Sequence, residues 1–128
     1  MKFLTYFLGG VRIIIGGTLV LLPNLALLAW LPGFQADDEI AVVLAQHMGI
    51  RDLVLGLGIV YCLRNQKSQW QMWLLGAMIC DLTDVLLSVL RPDIFAPDGN
   101  PGSYIAGAIL LSLQGWVLYQ ARGYQIKQ

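Results

Sequence analysis

An arginine and an aspartate, Arg51 and Asp52, lie side by side in the middle of a long apolar stretch of this sequence. That stretch covers residues 40–63, and three further apolar stretches cover residues 3–22, 70–90 and 104–120. A helix of about 20 residues is ~30 Å long, which matches the hydrocarbon thickness of a bilayer. The pattern predicts an all-α fold, in which residues 1–128 form a single domain with a bundle of four transmembrane helices.

The composition also favours a lipid environment. Hydrophobic residues make up 57% of the chain and charged residues 12%, whereas soluble domains average ~25% charged residues. The formal net charge is zero, which gives no indication of a nucleic-acid partner. The N-terminal segment has a charge followed by apolar residues but no small-x-small cleavage site. We therefore interpret it as a retained first span rather than a signal peptide.

The basic residues outside the spans predict an orientation, because cytoplasmic loops carry an excess of lysine and arginine. All but Arg91 belong to the N-terminus, the loop between spans 2 and 3, or the C-terminal tail: Lys2, Arg64, Lys67, Arg122 and Lys127. Four spans place both termini on one side, which is predicted to be cytoplasmic, and we expect the bacterial inner membrane. The stretch after Pro23 either extends the first span or lies along the interface.

Polar side chains from all four spans are predicted to lie at a similar depth. Five of them are about ten to thirteen residues from the end at which their span enters the membrane: Arg12, Arg51, Asp52, Asp81 and Gln114. Asp84 and His47 lie about one turn nearer the outer face. A charge at this depth costs ~2.5–3.5 kcal/mol on insertion scales, so we expect these side chains to face the bundle interior and pair. For Gln114 we expect a helix–helix hydrogen bond.

The charges in this predicted layer do not balance, because two arginines face three aspartates. One carboxyl is expected to lack an arginine, so that it either keeps its proton or takes His47 as its cation. A protonated carboxyl beside an ionised one is an arrangement used in acid–base catalysis. The candidate catalytic residues are Asp81, Asp84, Arg51, Asp52, Arg12 and His47. Two structural alternatives stay open. The ion pairs only fix helix register, and His47 is an interior histidine whose hydrogen bonds are satisfied.

No cofactor or metal site is expected. The chain has one histidine and no HxxxH or ExxH pattern, and the two arginines oppose a cation held by the aspartates. Cys62 and Cys80 do not form a CxxC pair, which argues against a thiol oxidoreductase, and both are expected to be free, buried thiols.

The run Gly-Ile-Arg-Asp-Leu-Val-Leu-Gly-Leu at residues 49–57 resembles a family of small four-span integral membrane proteins of bacteria and fungi, known as a domain of unknown function. Residues 16–23 and Asp84 support the resemblance, which extends loosely over most of the chain. It implies the four-span fold and singles out Arg51, Asp52 and Asp84. It implies no established activity.

The leading hypothesis is an integral-membrane enzyme that uses acid–base chemistry to isomerise, cyclise or open an epoxide in a lipophilic small molecule. Asp81 and Asp84 would be acid and base, the two arginines would hold a carboxylate or a developing oxyanion, and Asp52 would fix an arginine. The alternative is a non-catalytic accessory subunit or lipid-binding bundle, as a homo-oligomer or in a larger membrane complex. A third hypothesis, proton-coupled transport, requires a dimer.

Overall fold

The computed structural model describes residues 2–30, 39–65, 69–91 and 102–125, and its regular structure in these ranges is entirely α-helical. The helices are α1 (Lys2–Leu21), α2 (Pro23–Trp30), α3 (Glu39–Arg64), α4 (Trp70–Leu90) and α5 (Gly102–Gln125). The all-α prediction is confirmed, and each predicted span corresponds to one long helix. Of the basic residues from which the orientation was predicted, Lys67 and Lys127 lie outside the described residues.

Helix α2 begins at Pro23, as a helix separate from α1. Proline is favoured at the first helical position, where its ring sets a helical φ and its missing N–H removes no hydrogen bond. Ala26 and Leu27 of α2 are buried against Leu19 of α1 and the start of α3. The short helix is therefore part of the packed bundle.

Three helices, α1, α3 and α4, are long and apolar enough to cross a membrane. Large apolar side chains face outward from them, and Ile14 and Met72 are 65% and 70% exposed. Several polar side chains are instead buried: Thr5, Arg12, Asp81, Ser88 and Gln114. An apolar exterior around a polar interior is the distribution expected of a membrane protein.

The closest helix contact joins α1 and α3 through two pairs of glycines. A Cβ atom added to Gly16 would lie 2.6 Å from the carbonyl oxygen of Gly49, and one added to Gly56 would lie 2.7 Å from that of Gly9. Gly9 and Gly16 are seven residues apart in α1, and Gly49 and Gly56 are seven residues apart in α3. Seven residues make about two helical turns, so the glycines of the two antiparallel helices meet in register. Small residues at such positions let the two backbones approach closely.

Apolar clusters lie on both sides of the bundle centre. The first takes one buried side chain or more from each long helix: Leu8, Ile59, Leu74, Ala77 and Val117. The second joins α1, α2 and the start of α3: Leu19, Ala26, Leu27, Ala41 and Ala45. Along α1, Arg12 falls between Leu8 and Leu19. The charged side chains therefore occupy a layer between two apolar ones.

Candidate functional site

Arg12 joins two carboxylates at the centre of the bundle. Its Nη1 donates to Oδ1 of Asp52 at 2.7 Å, and its Nη2 donates to Oδ2 of Asp81 and, at 3.2 Å, to the carbonyl oxygen of Ala77. Only 5% of the Arg12 side chain is exposed. A planar guanidinium can serve several acceptors at fixed angles, so this one side chain connects α1 to both α3 and α4.

Arg51 makes the second set of ion pairs. Its Nη1 and Nη2 donate to the two carboxylate oxygens of Asp84 at 3.2 and 2.8 Å, a two-point contact between α3 and α4. Its Nη2 also lies 3.6 Å from Oδ1 of Asp52, the same oxygen that Arg12 contacts. Asp52 thus lies between the two arginines and joins their ion pairs into one network.

Helix α5 joins the network through an amide. Nε2 of Gln114 donates to Oδ2 of Asp81 at 2.6 Å, and the Gln114 side chain is fully buried. The helix–helix hydrogen bond predicted for Gln114 is confirmed. We call the network the charged layer; its members are Arg12, Arg51, Asp52, Asp81, Asp84 and Gln114. Each of the four long helices contributes to it, as the depths along the sequence predicted.

The pairing within the charged layer differs from the prediction. One carboxyl was expected to lack an arginine, but Asp52, Asp81 and Asp84 each contact one or both arginines. The reason is that each guanidinium reaches two carboxylates. The formal count is unchanged, with two positive groups against three negative ones. Asp81 and Asp84, the predicted acid and base, share a face of α4 but pair with different arginines.

His47 is not in the bundle interior, so both expectations for it are wrong: it is neither the third cation of the layer nor a satisfied interior histidine. The structure places it on the exposed surface of α3, and the ion pairs found among the described residues do not involve it. It lies two residues from both Ala45 and Gly49, which are buried. Two residues correspond to ~200° around a helix, so His47 points away from the side on which α1 and α2 pack.

Exposure rises from one end of the charged layer to the other. The side chains of Arg12 and Asp81 are 5% and 10% exposed, that of Asp52 is 13% exposed, and those of Arg51 and Asp84 are 27% and 35% exposed. The Arg51–Asp84 pair is therefore the accessible end of the layer, and Arg12, Asp81 and Gln114 form its buried end.

Two buried polar atoms of the layer find no hydrogen-bond partner within the described part of the chain: Nε of Arg51 and Oε1 of Gln114. Each such atom costs about 1–3 kcal/mol when it is desolvated and left unpaired. The two atoms differ in their surroundings, since Gln114 has no exposed surface and the Arg51 side chain is 27% exposed.

The paired glycines of α1 and α3 flank the charged layer on both sides. Arg12 lies between Gly9 and Gly16 in α1, and Asp52 lies between Gly49 and Gly56 in α3. The ion pair thus forms between two points of close backbone approach. Because those contacts limit how α1 and α3 can slide or rotate, they set the positions from which Arg12 and Asp52 reach each other.

Among the residues with described positions, no group of three or more His, Cys, Asp or Glu side chains is placed to hold a metal ion. Both cysteines are free, as predicted; Cys62 is buried and Cys80 is only half-buried. An apolar groove of about 360 Å³ runs along α5, and its lining includes no member of the charged layer.

No protein-family model matches this chain. Comparisons with curated proteins and with solved structures likewise found no match.

The carbonyl oxygen of Ala77 is a contact that the sequence analysis missed. It accepts a hydrogen bond from Arg12, and a backbone acceptor leaves no trace in the residue type. A signal was nevertheless present, because Ala77 precedes Asp81 by one helical turn and shares its face.

Proposed function

We propose that this chain is a four-span membrane enzyme, and that the accessible end of the charged layer performs acid–base chemistry on a lipophilic small molecule. The observation that carries the proposal is the exposure of the Arg51–Asp84 pair, the most accessible carboxylate and guanidinium of the layer. In a bilayer the molecules able to reach such a pair are themselves apolar, so the substrate class is a lipophilic compound that carries one polar group.

The roles follow from the contacts. Asp84, held at both oxygens by Arg51, is the base that removes a proton from the substrate and returns it at another atom, as an isomerisation or cyclisation requires. Arg51 stabilises the oxyanion that develops. Asp52, 3.6 Å from Nη2 of Arg51, holds that arginine in place. Asp81 is a positioning residue and takes no proton from the substrate, since Arg12 and Gln114 both donate to one of its oxygens.

The test is to replace Asp84 by asparagine in the native host and to analyse lipid-soluble metabolites by mass spectrometry. We expect a product to disappear and an isomer or unreacted precursor to accumulate, with the amount of membrane-inserted protein unchanged. Thr83→Ala is the matched control, because the exposed Thr83 hydroxyl donates only to Ile79 of its own helix. An unchanged metabolite profile in a folded Asp84→Asn protein would overturn the proposal.

A second candidate function is supported by a different observation. Each carboxylate of the charged layer contacts an arginine, and the layer connects all four long helices. Such a network also suits a non-catalytic accessory subunit or lipid-binding bundle, alone, as a homo-oligomer or in a larger membrane complex. In that case Arg51→Ala would abolish folding or assembly. The enzyme proposal instead expects a folded protein that has lost its chemistry.

The proposal includes a topology with α5 as the fourth span and both termini in the cytoplasm. It rests on the positions of the basic residues and on the length of α5, Gly102–Gln125, and it agrees with the resemblance to the small four-span family. We expect a fluorescent protein fused after residue 128 to fold and fluoresce in a bacterial host. Alkaline phosphatase fused after residue 98 should be active. An active phosphatase at the C-terminus would contradict the four-span topology.

A further inference from the structure

His47 is a polar side chain on the outer surface of a helix that is long and apolar enough to cross a membrane. It lies ~7 Å along the axis from the middle of α3, at 1.5 Å per residue. The hydrocarbon core extends ~15 Å to either side of its centre, so an α3 that spans the bilayer exposes the imidazole to acyl chains. Within the described part of the chain, no hydrogen bond or ion pair involves it.

His47 belongs to a stripe of exposed side chains along α3, which we call the α3 stripe: Val43, His47, Ile50, Val54 and Leu57. The four apolar members are between 51% and 62% exposed. Successive members are four, three, four and three residues apart. This spacing repeats every seven residues, which is the pattern by which two helices pack side by side in a left-handed coiled coil. Helices α1 and α4 contact other sides of α3 and leave the stripe uncovered.

We propose that the α3 stripe is the contact surface between two copies of this chain, with the two His47 imidazoles hydrogen-bonded to each other. Copies of a membrane protein share one orientation in the bilayer. A two-fold axis along the membrane normal therefore makes the two α3 helices parallel and brings identical residues to the same depth. The inference does not depend on the proposed enzyme function, because it uses no residue of the charged layer.

The imidazole is the reason to place a second copy on this surface. One ring nitrogen can donate a hydrogen bond and the other can accept one, so the side chain can complement an identical ring. Acyl chains offer it no hydrogen-bonding atom. A different protein would need a polar group at this depth, whereas a second copy of the chain always carries one. Histidine is among the residues that hydrogen-bond between membrane helices.

The heptad positions of the α3 stripe also fit a pair of helices. His47 and Val54 take position a, and Val43, Ile50 and Leu57 take position d. A β-branched residue at a with leucine at d favours two strands, and a single polar residue at a fixes the register. A shift of one helix along the other would set the imidazole against apolar side chains and leave its nitrogens unpaired.

Cysteine cross-linking in native membranes tests which residues meet. Both native cysteines are replaced by alanine, and single cysteines are then introduced one at a time before an oxidant is added. We expect rapid disulfide-linked dimers from His47→Cys, Ile50→Cys and Val54→Cys. The matched controls are Ile14→Cys in α1 and Ile79→Cys in α4, which lie on exposed surfaces of other helices and should cross-link far more slowly.

The strength of the dimer tests the role of His47. Chains labelled with donor and acceptor fluorophores are mixed in liposomes, and energy transfer is followed as the lipid-to-protein ratio rises. His47→Leu should weaken the dimer about 3- to 20-fold, the range for one hydrogen bond between membrane helices. His47→Asn should restore most of the affinity, because an amide can also pair with itself. Val43→Leu keeps the surface apolar and should leave the affinity nearly unchanged.

Several results would overturn the proposal. One is a chain that stays monomeric at every lipid-to-protein ratio, and another is cross-linking at the α3 stripe no faster than at Ile14 or Ile79. A His47→Leu dimer as tight as the wild type would remove the imidazole pair. Cross-linking of the stripe to a different membrane protein, and not to a second copy, would show that another partner occupies this surface.

Discussion

Replacing Arg12 by alanine is expected to lower the free energy of unfolding by about 3–5 kcal/mol, the usual cost of removing one partner of a buried ion pair. The Arg12 guanidinium contacts Asp52, Asp81 and the carbonyl oxygen of Ala77, and only 5% of the side chain is exposed. Without it, the two carboxyl groups are left in a dry interior with no cation that reaches both. The measurement is reversible unfolding in mixed micelles as denaturing detergent is added.

Two variants serve as controls for Arg12→Ala. Arg64 lies exposed in the last turn of α3, and Arg64→Ala removes the same side chain with an expected effect within about 0.5 kcal/mol. Arg12→Lys keeps the charge but not the planar fork that reaches two carboxylates, so it should fall between wild type and Arg12→Ala. If Arg12→Ala unfolds like the wild type, the charged layer does not hold the helices together.

Replacing Gly16 by alanine is expected to destabilise the contact between α1 and α3. The new Cβ atom would lie 2.6 Å from both the carbonyl oxygen of Gly49 and the backbone nitrogen of Leu53. Backbone atoms cannot rotate aside as a flexible side chain can, so the helices must separate. Overpacking typically costs about 1–3 kcal/mol, and we expect the upper part of this range. The same unfolding measurement applies.

The chain supplies a matched control for this prediction in the next residue. A Cβ atom on Gly17 would meet nothing within 4 Å, so Gly17→Ala adds the same methyl group to the same helix without a clash. Because alanine also favours helix over glycine by about 1 kcal/mol, Gly17→Ala should be neutral or stabilising. Equal effects of the two substitutions would contradict the close approach at Gly16 and Gly49.

The helices of this chain could be predicted closely because the physical signals that define them are local. Long apolar stretches bounded by polar segments predicted α1, α3, α4 and α5, and the shared depth of their polar residues predicted that Arg12, Asp52, Asp81 and Gln114 would meet. A charge at the centre of a bilayer has few acceptable surroundings. Depth along a span therefore predicts which residues meet in one layer, even when their helices are far apart in sequence.

The partner of each charge could not be predicted in the same way. Sequence spacing placed His47 and Arg51 on one face of α3, yet Arg51 reaches Asp84 of α4 and His47 is exposed. The difference lies in the length of the arginine side chain and in where α4 packs along α3. The expected unpaired carboxyl failed for a related reason, because a count of charges does not show that one guanidinium can bridge two carboxylates.

The sequence by itself determined the helices, the apolar exterior and the level along the helices at which the polar residues meet. These depend on residue type and on position along one helix. Only the tertiary structure decided which groups pair, which end of the layer is accessible, and that Gln114 keeps an unpartnered oxygen beside Asp81. Those features depend on how closely and at what rotation the helices pack, which for α1 and α3 is set by the contacts of Gly16 with Gly49 and Gly9 with Gly56.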